Sequence, residues 1–331
     1  MGHRANLIII RERTYSLYYS HWCAITLPSD LFWGPEAAVE FIEQQEPAEG
    51  WLDNAWAEGG ALVDLDRQYL LWYGGEDVKY EIPLRRHLLK MMLPLWPGWT
   101  MEWASAGILD MGAYIGYPLE KLYSKNSRSV TPLKLESEPK DGWVRLVASV
   151  VYLDGELRLY PVQSELEDYL LQGPQLVESL EKSAGFPELD LNEWPQETPD
   201  QGFHLNLPDK AIDVWYAPDA GTLLQQIREA WPGWTVTDHK DRYEAQVRLT
   251  EGMLLFKKDN PEELTERLTS YLLRSHSSPV DVIKQIVQLK EEAGENIEVN
   301  PHALVDEPQD IPQDTREQLL RYAIAKMAPG I

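Results

Sequence analysis

Three landmarks occur twice in the chain, in the same order. Leu31-Phe-Trp-Gly-Pro-Glu-Ala-Ala-Val-Glu recurs as Leu171-Gln-Gly-Pro-Gln-Leu-Val-Glu, Leu71-Trp72-Tyr73 as Val214-Trp215-Tyr216, and Trp96-Pro-Gly-Trp-Thr100 as Trp231-Pro-Gly-Trp-Thr235. The separations differ only by short insertions and deletions, which points to a duplicated unit of about 140 residues, within the ordinary size range of a domain. No other feature limits the possible folds as much.

Within each copy the pattern reads ββαββα followed by further strand. In the second copy residues 146–152 and 156–162 flank Asp154-Gly155, a dipeptide suited to a type I′ hairpin turn, and the first copy offers residues 6–10 and 14–22 around Glu12-Arg13. Gly34-Pro35 and Gly173-Pro174 each open an amphipathic helix, where proline sits well because its missing N–H has no partner in a first turn. A second strand pair and a second helix follow, ended by Trp-Pro-Gly-Trp. That motif reads as helix punctuation with tryptophans covering the helix end. The expected fold is therefore α+β: two tandem divergent copies with largely antiparallel sheets, each covered on one face by helices, plus a C-terminal helical extension. The expected divisions are residues 1–124, a connection at 125–141, residues 142–257, and an extension at 258–331.

The 331 residues carry 54 acidic and 30 basic side chains, a formal charge of −24. A field of that sign repels phosphate backbones and anionic lipid and attracts basic surfaces, so direct nucleic-acid binding and membrane association are not expected. The single cysteine, Cys23, leaves no intramolecular disulfide and no multi-cysteine metal site, and suits a cytoplasmic location. The apolar run Leu7-Ile-Ile-Ile10 is too short for a signal peptide, and no stretch reaches the ~18 residues of a membrane span. Glycine-rich phosphate cradles and paired-histidine metal motifs are absent, so neither a cofactor nor a metal is expected.

The residues that could carry chemistry are His21 and Cys23, which would share one face of a strand, Asp64 and Asp66, and His239 in Asp238-His-Lys-Asp241. None sits in a catalytic signature. The residues that could carry recognition lie in loops rich in Trp and acid: Trp51, Asp53 and Trp56 in the first copy, Asp190, Glu193 and Trp194 in the second. Acidity, abundant Trp and Tyr of the kind that anchor interfaces, and the lack of a catalytic motif together suggest a non-catalytic cytoplasmic binding protein for a basic protein partner, of the immunity or antitoxin-inhibitor type. Two other readings follow from the same residues. One is a hydrolase-like or metal-dependent enzyme with a dispersed acidic and histidine site between the copies. The other is a structural subunit that docks through its C-terminal helices.

Overall fold

The computed structural model describes residues 2–124, 132–140, 142–194, 198–274, 279–292, 299–304 and 311–327, so much of the expected connection at 125–141 lies outside the described residues. In chain order the elements are β1 (Ala5–Arg11), β2 (Thr14–Ser20), α1 (Leu27–Leu31), α2 (Pro35–Glu43), β3 (Glu46–Pro47), β4 (Gly59–Asp64), β5 (Tyr69–Tyr73), α3 (Glu76–Tyr80), α4 (Ile82–Met92), β6 (Thr100–Trp103) and α5 (Ile108–Ile115). Then come β7 (Leu146–Val151), β8 (Leu157–Val162), α6 (Leu166–Leu170), α7 (Gln175–Glu178), β9 (Leu189–Asp190), β10 (Gln201–Asn206), β11 (Ala211–Tyr216), α8 (Leu223–Ala230), β12 (Thr235–Asp238), α9 (Glu244–Leu249) and β13 (Leu254–Leu255). Three helices close the chain: α10 (Pro261–Leu272), α11 (Pro279–Glu292) and α12 (Gln313–Lys326).

The contacts divide the chain into two compact units. The first comprises residues 1–78, 83–124 and 261–331; the second comprises 79–82 and 125–260. The first sheet has the order β3-β2-β1-β4-β5-β6 and the second β12-β11-β10-β7-β8. Read from β2 and from β8, the two run through corresponding strands. In each, the opening hairpin is antiparallel, its first strand pairs parallel with the third, the second hairpin is antiparallel, and the last strand joins parallel. Both sheets are mixed rather than largely antiparallel. Helical crossovers between the hairpins return the chain to the same end of the sheet, which makes the joining pairs parallel.

Helices cover both faces of each sheet, not one. In β1, Leu7 and Ile9 face a core completed by α1, α2 and α4, while Ile8 and Ile10 face a second core with Met111 of α5. A strand buried on both sides reads as a nearly continuous apolar run, and β1 is buried from Ala5 to Ile10 with Asn6 as its one polar residue. In the second unit Ala148 and Val150 belong with α6 and α8, and Val147 packs on the opposite side with Trp215 and Phe256.

The turns depart from expectation in an instructive way. Glu12 and Arg13 both adopt positive φ, 49° and 61°, and form the two-residue turn, held by Asp66, whose carboxylate accepts from both their amides at 3.0 and 2.8 Å. In the corresponding turn of the second unit only Gly155 has positive φ, and Tyr152 N–H bonds the Glu156 carbonyl. This makes a three-residue loop rather than the expected type I′ turn.

The tryptophans of Trp-Pro-Gly-Trp serve as punctuation. Trp96 donates to the Leu31 carbonyl at 3.1 Å and Trp231 to the Leu170 carbonyl at 2.6 Å, each tying a helix end to the helix that precedes Gly-Pro. The Trp72 match slips by one residue. In the two sheets Trp72 lies opposite Ala61 as Val214 lies opposite Phe203, and Tyr73 lies opposite Gly60 as Trp215 lies opposite Gly202. A slip of one residue exchanges faces, so Trp72 and Trp215 enter different cores. At both glycines the cross-strand ring lies where a Cβ would sit: 3.0 Å from Tyr73 at Gly60 and 2.3 Å from Trp215 at Gly202.

The C-terminal helices are built into the first unit. Leu268 and Leu272 of α10 and Leu320 and Ala323 of α12 join its core, and α12 sets Arg316 over the Trp33 ring at 5.3 Å.

Candidate functional site

The residues singled out for catalysis are engaged in structure. Cys23 is not on a strand with His21. It opens a short 3₁₀ turn, Cys23–Ile25, and is 5% exposed in the core. His21 Nδ1 bonds the Tyr19 hydroxyl at 2.8 Å. Asp64 accepts the amides of Asp66 and Arg67 with one oxygen and the Tyr114 hydroxyl, at 2.7 Å, with the other. Asp66 holds the β1–β2 turn. His239 lies in the polar turn after β12 and meets Asp213 through Nε2 at 2.7 Å. These groups do not converge on one point, and among the described residues no group of three or more His, Cys, Asp or Glu is placed to hold a metal.

The recognition candidates differ between the units. In the first, Trp51 stacks on Tyr117 with centroids 5.0 Å apart and takes the edge of Tyr15 at 6.2 Å; Tyr15 is 40% exposed. Asp53 beside it accepts the amides of Ala55 and Trp56. Trp56 is 46% exposed and lies under the Arg4 guanidinium at 4.1 Å, while Lys121 stands 5.9 Å from the Tyr117 ring. Trp56 and Tyr117 thus each face a cation of the chain itself, while Tyr15 and Trp51 meet each other edge to face. In the second unit Trp194 is a correction: it is 5% exposed and packs with Phe186 in the core, so it offers no surface. Asp190 holds the Asn192 amide at 2.9 Å, and Glu193 pairs with Lys140 on the exterior.

A buried polar row is the feature that sequence reasoning missed. Ser149, His204 and Asp213 lie side by side on β7, β10 and β11. Ser149 Oγ meets His204 Nδ1 at 2.9 Å, and Gln246 from α9 donates to Ser149 Oγ at 2.9 Å and to the Phe203 carbonyl at 2.7 Å while accepting from Trp215 Nε1 at 2.7 Å. The corresponding row of the first unit is apolar: Ile8, Leu62 and Leu71, with Met111 above. Serine, histidine and aspartate in a row suggest a nucleophile with its base. However, Ser149 is 0% and His204 2% exposed, so no substrate reaches the hydroxyl. Burial pushes His204 toward its neutral form, with Asp213 opposing. The sequence signal was available: a serine inside Leu-Val-Ala-Ser-Val-Val and a histidine inside Phe-His-Leu interrupt otherwise apolar strands.

At the end of the second sheet where β7 and β10 begin, a cleft of about 200 Å³ is lined by Lys79, Tyr80, Arg145, Glu165, Glu167, Tyr216 and Asp219 over Leu166, Pro218, Ala220 and Leu223. Lys79 pairs with Asp219 at 2.5 Å, and Arg145 pairs with Glu165 and, at 3.4 Å, with Asp200. Burial pushes the Asp200 carboxyl up to about 6 despite the attraction of Arg145, and its Oδ1 is buried without a hydrogen-bond partner. A polar cleft with a perturbed carboxyl is a place to look for binding. Among the described residues no helix is long and apolar enough to cross a membrane. No family model, curated protein or solved structure matches this chain.

Proposed function

We propose that the chain is a non-catalytic binding protein that captures a basic protein partner, in the manner of an immunity or antitoxin-type inhibitor. The observation that carries this reading is the Tyr15–Trp51–Tyr117 cluster, a half-exposed aromatic platform beside Asp53 in a chain of net charge −24. Rigid aromatic anchors within an acidic field are the groups that recognise Lys and Arg side chains, and the field speeds encounter. Engagement of His21, Asp64, Asp66 and His239 in turns and side-chain pairs supports the same reading.

The test is capture by the tagged chain from its native host at low and moderate salt, with a Tyr15→Ala chain in parallel. A single stoichiometric basic protein, released as salt rises and retained about tenfold less by Tyr15→Ala, is the expected result. Empty eluates at both salts, or a partner indifferent to salt and to Tyr15, count against it.

A further inference from the structure

Asn6 is the one polar residue in the buried run of β1, and it is 0% exposed. Along the strand it shares the side of Ile8 and Ile10, the side on which Ala48, Trp51 and Leu52 pack. A buried amide is costly unless both of its ends are bonded. Both are: Nδ2 donates to the Tyr18 carbonyl at 3.2 Å, and Oδ1 accepts the Leu52 amide at 2.7 Å. Residues 48–57, which form neither helix nor strand, are pinned at other points as well. Ala48 N–H bonds the Leu17 carbonyl and Asn54 N–H the Leu122 carbonyl, each at 2.8 Å, and the Ala57 carbonyl accepts from the Tyr73 hydroxyl at 3.0 Å. Leu52, beside Trp51, is the point held by Asn6.

The second unit treats the same position differently. Asn6 lies opposite Gly60 of β4 as Val147 lies opposite Gly202 of β10, so Val147 is its counterpart. Val147 is fully buried, and Trp194, from the loop before β10, joins the same core at 5% exposure. That loop is secured by sinking its tryptophan. The loop before β4 is secured by its backbone, through a buried amide that does not need the indole, and Trp56 stays exposed and Trp51 half-buried. Aromatic side chains left out of the core on a fixed backbone suit recognition, because little ordering remains to be done on binding.

We propose that Asn6 is a positioning residue: through Leu52 it fixes the 48–57 loop and keeps Trp51 at the surface, ready for a partner's cationic side chain. The proposal rests on the reading of the Tyr15–Trp51–Tyr117 cluster as a recognition surface.

The experiment is amide hydrogen exchange of the full chain, Asn6→Val and Asn6→Asp. Asn6→Val installs the second unit's residue and removes the acceptor, and the amides of residues 52–57 are expected to exchange about tenfold faster or more. Asn6→Asp keeps an oxygen for Leu52 N–H, and the same amides are expected to stay within about twofold of the unaltered chain, even where a buried charge speeds exchange in β1 and β4. A purely structural role predicts the reverse: faster β1 and β4 in both variants with the loop unchanged. Loop exchange unaltered in Asn6→Val, or as fast in Asn6→Asp as in Asn6→Val, overturns the proposal. Circular dichroism checks folding, and Asn6→Ser, whose hydroxyl stops short of Leu52, takes the place of Asn6→Val under the same criteria if that chain does not fold. In the capture experiment Asn6→Val is expected to retain a basic partner about tenfold less and Asn6→Asp to retain it as the unaltered chain does. Equal retention by Asn6→Val overturns the role in recognition. If the unaltered chain captures nothing while the loop loosens in Asn6→Val, the proposed function falls and the positioning of the loop stands.

Discussion

Gln246 engages Trp215, Ser149 and the carbonyls of Val147 and Phe203 with one side chain that is 1% exposed. Truncation strands several buried groups at once, so Gln246→Ala is expected to cost about 3 kcal/mol in urea unfolding. Carrying over the first unit's residues together, as Ser149→Ile, His204→Leu and Gln246→Met, removes the two side-chain polar groups of the row along with Gln246, while Trp215 Nε1 and the two carbonyls remain. The triple variant is expected to lose less stability than the sum of its single changes. The same row gives a pH dependence. The folded pKa of His204 lies below its unfolded value of about 6.5, so its contribution is present above that value and is lost as pH falls through it toward the folded pKa. Asp200 acts with the opposite sign. Its folded pKa of about 6 exceeds the unfolded value of about 3.9, so its contribution is full below pH ~4 and is lost as pH rises through 6. Asp200→Asn is therefore expected to gain about 1–2 kcal/mol at pH 7 and nothing near pH 4, while Arg145 keeps Glu165 as its partner. Unfolding curves at pH 4, 5.5 and 7 separate the two residues.

Trp231 shows what the repeated Trp-Pro-Gly-Trp does at the level of elements. Its indole ties the end of α8 to the Leu170 carbonyl of α6, and Trp231→Phe is expected to cost about 1–2 kcal/mol by leaving that carbonyl without its donor. Trp96→Phe should behave alike through Leu31. The C-terminal helices invite a sharper test. Leu268, Leu272 and Leu320 are each buried to within 2%, worth about 1.5–3 kcal/mol apiece, and their sum rivals the ~5–15 kcal/mol stability of a whole domain. Deleting residues 261–331 is thus expected to unfold the first unit, seen as lost tryptophan dispersion, rather than to leave two intact units without an extension. Gly-Pro openings, hairpins and punctuation were legible in the sequence because they depend on neighbours along the chain. Parallel pairing of β1 with β4 was not, since it depends on where a crossover returns. The match of Trp72 with Trp215 slips because Trp-Tyr and Trp-Tyr align by identity while the sheets align them one residue apart. The Ser149–His204–Gln246 contacts join three distant segments, and no local spacing records them.

For the whole molecule, the surplus of 54 acidic over 30 basic residues should appear in kinetics before affinity. Association with a cationic partner is expected to slow about tenfold or more between 50 and 500 mM salt, with dissociation little changed, in stopped-flow fluorescence. The first unit is assembled from residues 1–78, 83–124 and 261–331, with most of the second unit, residues 125–260, between the last two segments. On a ribosome, residues 125–260 emerge before α10 and α12 do, so the second unit has all its parts while the first still lacks Leu268, Leu272, Leu320 and Ala323 from its core. The unit whose first segments come earlier in the chain is therefore the unit that completes its core later, and that unfilled core is what a nascent chain has to shield until α12 emerges.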